Sequence, residues 1–386
     1  MNFELTGDQK LVRDEVRAFV DREVVPYARA WDAEEKFFPP KVIEGLGALG
    51  IWGILTPDEY GGAGLDPVAN ALIIEEVARG DGSLALTVAS HNSLCSGHIN
   101  LAGREEQKRR WLPRLATGEV LGAWALTEPG SGSDASGMRT TAVRRGEGWA
   151  LNGTKMFITQ GSVGGVTVVL ARTSPEKKAH GVTAFLVPQQ SKGFSVSKKL
   201  EKLGMRASDT CEIVLEDVLV GDDARLGEVD AGFLDTLRIL DRGRIGIGAL
   251  AVGLARGALE ASVAYAKQRA QFGRPIAEFQ AVQFKVADMK ARIDAARLLV
   301  LRAAVLAARG QRHTAESSMA KLFASEVATW ACGEAIQIHG GYGYTREFPV
   351  ERHWRDAKLC EIGEGTSEVQ RMIIARELLA TLRSAA

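Results

Sequence analysis

The stretch that decides the fold is FLDTLRILDRGRIGIGALAVGLARGALEASVAYAKQR, from Phe233 to Arg269. Its apolar residues recur with the period of an α-helix, but the run is too long for a helix of an ordinary globular domain. Three further helical patterns follow it, namely FQAVQFKVADMKARIDAARLLVLRAAVLAARG, SMAKLFASEVATWACGEAIQI and EVQRMIIARELLATLR. Long apolar helices that follow one another are typical of a helix bundle. The sequence therefore predicts a C-terminal four-helix bundle over residues 229–386.

The residues before this bundle, 121–228, have the composition of short β-strands. Five segments are rich in β-branched residues and are separated by turn residues: VLGAWALTE, GWALNGTKMFIT, VTVVLAR, VTAFLVP and TCEIVLEDVLV. The pair Asn152–Gly153 in the second segment is a hairpin-turn signal. Short strands at regular intervals are typical of an antiparallel barrel or sandwich, which we predict as a middle β domain.

Residues 1–120 are predicted to form a helical N-terminal domain. Thr6 and Gln9 have the spacing of a capping box, and apolar residues follow at helical intervals up to Pro26. The GGAG stretch at 61–64 lacks the GK[ST] of a P-loop, so we interpret it as a turn between helices. The predicted order is α, β, α, which indicates a multidomain α+β protein. Without βαβ alternation, a nicotinamide-binding Rossmann domain is not supported.

Charge and composition exclude several classes of function. The 48 basic and 48 acidic residues give a formal net charge of zero, so no nucleic-acid partner is expected. No apolar run approaches the ~20 residues of a membrane span, and MNFELTGDQK lacks the pattern of a signal peptide. The four cysteines are scattered without a CxxC, and the histidines lack a third ligand nearby. We expect a cytoplasmic protein with reduced thiols, no membrane association and no metal site.

Four polar segments are candidates for binding or chemistry. WALTEPGSGSD, from Trp124 to Asp134, follows a predicted strand and offers many backbone N–H groups and hydroxyls to a ligand with carbonyl or phosphate oxygens. MFIT closes another predicted strand. In the bundle, RAQFGRPIAEFQ places Arg269 at the end of one helix and Gln280 at the start of the next. QIHGGYGY, from Gln337 to Tyr344, has paired glycines that permit close backbone approach.

The fifth candidate is EIGEGTSEVQR, from Glu361 to Arg371. Here Glu364 lies between Gly363 and Gly365, just before a predicted helix, although Glu is a good helix former. Most single surface acids have no chemical role. A carboxylate on a flexible bend can nevertheless be aimed at a ligand together with its own backbone.

These segments together resemble the acyl-CoA dehydrogenase family of flavoproteins, and most closely its short-chain (butyryl-CoA) branch. The resemblance is collinear over almost the whole chain and is carried by YGGAG, SHNSL, WALTEPGSGSD, LNGTKMFIT, DRGRIGI, RAQFG, QIHGGYGY and EGTSEVQ. It implies the same α–β–α order of domains, with FAD in the crevice between them. It also implies oxidation of an acyl-CoA to a trans-2-enoyl-CoA, with electrons passed to electron transfer flavoprotein.

The resemblance implies three groups of FAD contacts. The middle domain would contribute Trp124, Ala125, Leu126, Thr127, Glu128, Pro129, Gly130, Ser131, Gly132 and Ser133, with Phe157, Ile158 and Thr159. The FAD of a neighbouring subunit would be reached by Arg269, Gln280, Gln337, Ile338, His339, Gly340 and Gly341. Its adenosine end would be held by Thr366, Ser367 and Glu368. Contacts between subunits imply a homotetramer, built as a dimer of dimers, and an arginine facing a pyrophosphate is chemically reasonable.

Glu364 corresponds to the catalytic base of the family. Desaturation of an acyl thioester requires a base that removes the α proton on one side and a hydride acceptor, flavin N5, on the other. The backbone N–H of Glu364 would bind the thioester oxygen and stabilise the enolate-like charge. Desolvation by the bound substrate should raise the pKa of the carboxyl group and so strengthen it as a base.

The resemblance also implies the substrate contacts and shows two departures. Ser133, Asp241, Arg242, Gly243, Arg244 and Gly365 should contact the acyl-CoA. Other branches carry a Glu base where this chain has Gly243, which leaves Glu364 as the only base. The family usually has Tyr where this chain has Gly363, which would widen the acyl pocket. Phe157 replaces a common Trp beside the flavin.

Several alternatives remain beside a short- to medium-chain acyl-CoA dehydrogenase. A branched-chain substrate, isobutyryl- or 2-methylbutyryl-CoA, is compatible with the same base. A glutaryl-CoA dehydrogenase would need an arginine in SLALTVASHNSL, where there is none. A non-catalytic flavin- or acyl-CoA-binding relative would be expected to lose the base, and the nitroalkane type of oxidase carries Asp in its place.

Overall fold

The computed structural model describes residues 4–384. The N-terminal part consists of α1 (Gly7–Glu23), α2 (Ala28–Glu34), α3 (Pro40–Ala48), α4 (Pro67–Gly80), α5 (Gly82–Ala89), α6 (Gly97–Ala102) and α7 (Glu105–Ala116). The predicted capping box is confirmed at the start of α1. Oγ1 of Thr6 accepts a hydrogen bond from the Gln9 N–H at 3.2 Å, and Oε1 of Gln9 accepts from the Thr6 N–H at 3.1 Å.

The apolar stretch LIIEEVARGDGSLALTVASHNSL, residues 72–94, forms more than one helical element in the structure. Asp81 separates α4 from α5 and caps α5 by accepting a hydrogen bond from the Leu84 N–H at 2.8 Å. A π-helical turn, Ser90–Ser96, then joins α5 to α6. π-Helical turns are wider than α-helical turns and are frequent at functional sites. The division follows from Asp, which favours helix caps over helix interiors.

The middle part is an eight-stranded sheet. Its strands are β1 (Gly122–Ala125), β2 (Thr141–Arg145), β3 (Gly148–Thr159), β4 (Val166–Arg172), β5 (Val182–Pro188), β6 (Phe194–Lys199), β7 (Thr210–Gly221) and β8 (Arg225–Leu226). The order is β6-β7-β3-β2-β4-β5-β8, with β1 paired to β4. Most neighbours are antiparallel as predicted, but β4 runs parallel to β1 and to β2. Alternate residues of β4 enter different apolar clusters, so both faces of this strand are buried.

The predicted hairpin turn at Asn152–Gly153 is wrong, because β3 continues through both residues. The reversal between β2 and β3 comes earlier, at Gly146, which has φ +59°. The register of β3 against β7 shifts between Leu151 and Gly153, which is the signature of a β-bulge. Gly153 has φ +152°, and a Cβ there would lie 2.7 Å from the Cα of Thr140. Gly153 is therefore needed for the close approach of Thr140 to β3 and not for a turn.

The C-terminal part is a helical bundle with a short hairpin. It contains α8 (Gly232–Gln268), β9 (Ala270–Gln271), β10 (Arg274–Pro275), α9 (Gln280–Ala308), α10 (Thr314–His339), α11 (Val350–Ile362) and α12 (Ser367–Ser384). The four predicted helices are present. The polar helix α11 is an addition that the sequence patterns did not indicate.

Helix α8 is the central element of the molecule. It is 37 residues long, and within residues 4–384 it is the one helix long and apolar enough to cross a membrane, with 67% of its apolar window buried inside the protein. Its apolar residues belong to the same core cluster as those of α4, so the N-terminal helices and the bundle share one core. This packing also brings the π-helical turn Ser90–Ser96 against α8.

Candidate active site

Glu364 lies on a tight bend between α11 and α12. Its φ is +53°, and that of Gly365 is +94°, so two successive residues have left-handed backbone. Positive φ is costly for a residue with a side chain such as Glu and is held only where the surroundings enforce it. Oγ1 of Thr366 caps the following helix by accepting from the Val369 N–H at 3.3 Å. The bend therefore separates α11 from α12 and carries Glu364 between them.

The Glu364 carboxylate points onto α8 at Gly243. A Cβ built on Gly243 would collide with Oε2 of Glu364 and would lie 3.2 Å from Cδ2 of Leu94 in the π-helical turn. Oε2 is enclosed by protein and accepts no hydrogen bond from residues 4–384. Burial raises the pKa of Glu364 to about 7, against the opposing charges of Lys321 and Arg244.

Two cations flank this carboxylate. Arg244 is buried and pairs with Asp241, whose other oxygen accepts from Oγ1 of Thr314 at 2.6 Å. Lys321, from the middle of α10, is fully buried and donates to the Gly365 carbonyl at 2.6 Å. The motifs did not indicate Lys321, although a single lysine in the apolar stretch SMAKLFA was a usable signal.

The predicted substrate residues on α8 fall into two sets. Gly243 and Arg244 are buried and face the Glu364 bend, whereas Arg242 is exposed. Arg242 lines a small cavity with Asn92, Ser93 and Ser96 from the π-helical turn. The structure therefore brings α8, the π-helical turn and the bend together. Ser133 belongs to a separate loop of the middle domain.

The loop that follows β1 is held by its own internal network. The Glu128 carboxylate accepts from the backbone N–H groups of Arg139 and Thr140 and from Nζ of the buried Lys155, the last at 2.9 Å. Lys155 also donates to the Leu126 carbonyl at 2.9 Å. The side chain of Glu128 thus anchors the loop to the strands beside it and to the buried Lys155.

The outer side of the same loop is open. Gly130 and Gly132 are exposed, and a Cβ on either would meet nothing within 4 Å. Ser131 is buried and donates from Oγ to the Asp134 carbonyl at 2.5 Å. Exposed glycine backbone on an anchored loop is a suitable surface for a ligand with several oxygens.

The end of β3 lies beside this loop. The Met156 N–H donates to the Thr127 carbonyl at 2.9 Å, so the two predicted cofactor segments are joined. The register of β3 shifts between Lys155 and Ile158, and Phe157 has φ +61° with 66% of its surface exposed. A bulge of this kind re-aims side chains, here an aromatic ring, out of the sheet.

The first strand of the sheet is tied to the N-terminal helices through Trp124. Its indole N–H donates to Nδ1 of His98 at 3.1 Å. Burial lowers the pKa of His98 to about 4, and that of His91 likewise to about 4, so both rings are neutral core histidines. Within residues 4–384 no group of three or more His, Cys, Asp or Glu side chains is arranged to hold a metal ion.

A second region brings together most of the bundle residues predicted to reach a neighbouring subunit's cofactor. Arg269, Ile338, His339, Gly340 and Gly341 line one open cavity of about 530 Å³. The guanidinium of Arg269 lies 5.6 Å from the centre of the Tyr342 ring and forms no ion pair within the described part of the chain. Such an arginine is available to an anionic group.

The remaining predicted cofactor residues lie outside that cavity lining. Gln280 opens α9, as the sequence indicated, and Gln337 lies in the last turn of α10. Thr366, Ser367 and Glu368 form the start of α12. Ser367 is buried, and its Oγ has no hydrogen-bond partner among the described residues, whereas Glu368 is exposed.

Comparison with known proteins agrees with this architecture. Three family models match consecutive parts of the chain: acyl-CoA dehydrogenase, N-terminal domain, over residues 6–119; middle domain, over 123–218; and C-terminal domain, over 230–379. A probable acyl-CoA dehydrogenase of Bacillus subtilis is 48% identical over 380 residues, covering 98% of this chain and 100% of the relative.

Two solved structures have nearly the same fold. Butyryl-CoA dehydrogenase from Megasphaera elsdenii superposes with a TM-score of 0.96 at 42% identity, covering 98% of this chain and 100% of that one. A chain in the structure of the electron transferring flavoprotein of Acidaminococcus fermentans gives the same TM-score, identity and coverage. The predicted fold and the enzyme class are thus confirmed, and the chain belongs to the acyl-CoA dehydrogenase family of oxidoreductases.

Proposed function

We propose that this protein is an FAD-dependent dehydrogenase that converts short- to medium-chain acyl-CoA thioesters to trans-2-enoyl-CoA, with Glu364 as the base. The observation that carries this proposal is the Glu364 carboxylate, desolvated against Gly243, with Oε2 accepting no hydrogen bond from residues 4–384. A base needs a pKa near the working pH and an unoccupied oxygen that can receive the proton. Glu364 combines both properties.

The bend also places the backbone of Glu364 next to the substrate. In the reaction, the Cα–H proton passes to a Glu364 oxygen, and the electron pair of that bond forms the Cα–Cβ double bond as hydride leaves Cβ. The backbone N–H of Glu364 supplies a donor for the thioester oxygen, where negative charge develops. Gly363 leaves room for substrate next to this backbone, and Gly365, with φ +94°, allows the bend itself.

The residues of the chain fit FAD at two places. The exposed backbone of Gly130 and Gly132, with Phe157 to Thr159 beside it, suits the ring and the ribityl chain, and Arg269 with Gly340 and Gly341 suits the pyrophosphate from a second subunit. When bound, FAD would supply the two-electron acceptor for the hydride. A contact from a second subunit agrees with a homotetramer, which we propose with a cytoplasmic location.

The proposed electron acceptor is electron transfer flavoprotein. Support comes from family membership and from the matching chain in the Acidaminococcus fermentans structure. For the acyl group, the likeness to butyryl-CoA dehydrogenase favours a short chain. A branched acyl group remains the second candidate, because Gly363 leaves space next to the bend: a Cβ there would approach no atom closer than 3.5 Å.

Anaerobic titration of the purified holoenzyme tests the proposal. Butyryl-, octanoyl-, isobutyryl- and glutaryl-CoA are added separately, and the flavin absorbance is followed. We expect butyryl-CoA to bleach the flavin most completely, octanoyl-CoA less so and glutaryl-CoA not at all. No bleaching by any of the four, with FAD bound, would contradict the proposed activity.

A further inference from the structure

We propose that Lys321 is a positioning residue for the base, which fixes the bend that carries Glu364 and favours the charged form of its carboxylate. The inference rests on the proposed function of Glu364. Lys321 comes from α10, 43 residues before Glu364 in the sequence, and belongs to none of the motifs that suggested the active site.

The first step is the placement of the ammonium group. The Lys321 side chain has no exposed surface, and Nζ donates to the Gly365 carbonyl at 2.6 Å. No carboxylate of residues 4–384 lies within ion-pair distance of Nζ. Burying an ammonium group without a paired carboxylate is costly, so a methionine or leucine would be the cheaper residue for this core position.

The second step is that the hydrogen bond to the Gly365 carbonyl does not by itself require a lysine, because a neutral donor can make it. Nε2 of Gln370 donates to the same Gly365 carbonyl at 2.9 Å and approaches the Glu364 carbonyl at 3.4 Å. The neutral amide of Gln370 thus already satisfies the bend. What Lys321 adds is a second donor and a positive charge.

The third step is the set of charges that share this site. Glu364 faces Lys321 from α10 and Arg244 from α8. Lys321 faces Arg244, Glu364 and two α11 residues, Cys360 and Glu361. Burial raises the pKa of the Cys360 thiol to about 12, so that thiol is neutral.

Two of the charged groups near Lys321, Glu361 and Arg244, belong to ion pairs of their own. Glu361 is paired with Lys358 at 2.6 Å, and Arg244 is paired with Asp241. Lys321 is therefore the cation near Glu364 whose charge is not already shared with another carboxylate.

The charge of Lys321 lowers the pKa of Glu364. Burial lowers the pKa of Lys321 to about 8, which leaves the side chain charged at neutral pH. Its charge favours the ionised form of Glu364 and opposes the upward shift caused by burial. Removing the charge should raise the pKa of Glu364 further and leave less of the base ionised at pH 7.

The test compares three variants of the holoenzyme with wild type. Lys321→Met removes donor and charge, Lys321→Gln removes the charge but keeps an amide donor on a side chain one atom shorter, and Lys321→Arg keeps the charge. The acid limb of the pH profile of kcat/KM should move to higher pH in the Met and Gln variants but not in the Arg variant. At pH 7 the Met variant should lose about tenfold in kcat/KM, within the range of a perturbed general base. An acid limb that stays at the wild-type pH in both uncharged variants would overturn the proposal.

A second readout does not depend on turnover. Hydrogen–deuterium exchange of the peptide that covers residues 359–370 should be faster in Lys321→Met than in wild type, because the bend has lost its anchor. Lys285→Met is the control. Lys285, on α9, pairs with Glu334 of α10, which lies thirteen residues from Lys321 in the sequence. Unchanged exchange in Lys321→Met would overturn the positioning role. If wild type oxidised no acyl-CoA, the proposed function would fail, but this comparison would still decide the role of Lys321 in holding the bend.

Discussion

The carboxylate of Glu364 lies directly on Gly243, a glycine in the middle of the central helix α8. A Cβ on Gly243 would lie 3.1 Å from Cδ of Glu364 and would collide with Oε2. The two residues are 121 positions apart in the sequence, Gly243 on α8 and Glu364 on the bend between α11 and α12. The glycine thus provides the space in which the base is desolvated, and the position of Glu364 depends on the absence of a side chain there.

The first prediction concerns that space. Gly243→Ala should displace the Glu364 carboxylate and lower kcat/KM by about 100-fold, the cost typical of a misplacement of about 1 Å. FAD content should stay at the wild-type level. The measurement is steady-state kinetics with butyryl-CoA on protein of known flavin content.

A matched control for this substitution is Gly333→Ala in α10. There a Cβ would approach only the Trp354 ring, at 3.8 Å, which is an ordinary contact. The control should keep its activity and gain about 0.5–1 kcal/mol of stability, because alanine is the better helix former. Equal activities of the two variants would show that Gly243 does not determine the position of the base.

The second prediction concerns pH. Burial raises the pKa of Glu364 to about 7, and the base must be ionised to accept the α proton. The value of kcat/KM should therefore fall as the pH is lowered through 7, tenfold for each further unit, and reach a plateau on the alkaline side of this limb. A profile measured between pH 5.5 and 9 checks this, and a value of kcat/KM that stays level down to pH 5.5 would mean that Glu364 is solvated in the working enzyme.

The third prediction concerns acyl-chain length. Gly363 has φ −67° and ψ 151°, an extended backbone that any residue can adopt, and a Cβ there makes only ordinary contacts with Leu359. Gly363→Tyr should fold normally and place a ring next to the thioester region. We expect the ratio of kcat/KM for butyryl-CoA to that for octanoyl-CoA to rise by about tenfold, the scale of discrimination that a filled apolar pocket provides. An unchanged ratio would show that other residues determine the length of the pocket.

Much of this architecture could be predicted from the sequence because its signals are local. The helical period of Phe233–Arg269, the β-branched segments after residue 120 and the capping box at Thr6 each depend on neighbours in the chain. The unusual placement of Glu364 between glycines also marks a special bend without any structure. The roles of the predicted site residues, by contrast, came from the resemblance to a family and not from these periodicities.

The parts that could not be predicted depend on tertiary contacts. Asn152–Gly153 has the composition of a hairpin turn, but the close approach of Thr140 makes it a bulge inside β3. Lys321 lies in the apolar stretch SMAKLFA, which hints at burial, but only the packing of α10 against the bend shows what the lysine contacts. The contact of Gly243 with Glu364 likewise arises only when α8 and the bend are brought together.

The most direct test of the central claim is a comparison of wild type with Glu364→Gln. Glutamine keeps the size of the side chain but cannot accept the α proton. Both proteins, with FAD bound, are mixed anaerobically with butyryl-CoA in a stopped-flow instrument, and the rate of flavin bleaching is measured. We predict that the variant binds the thioester but bleaches slower by on the order of 10³-fold, the contribution of a general base. Bleaching at the wild-type rate would contradict the assignment of Glu364 as the base.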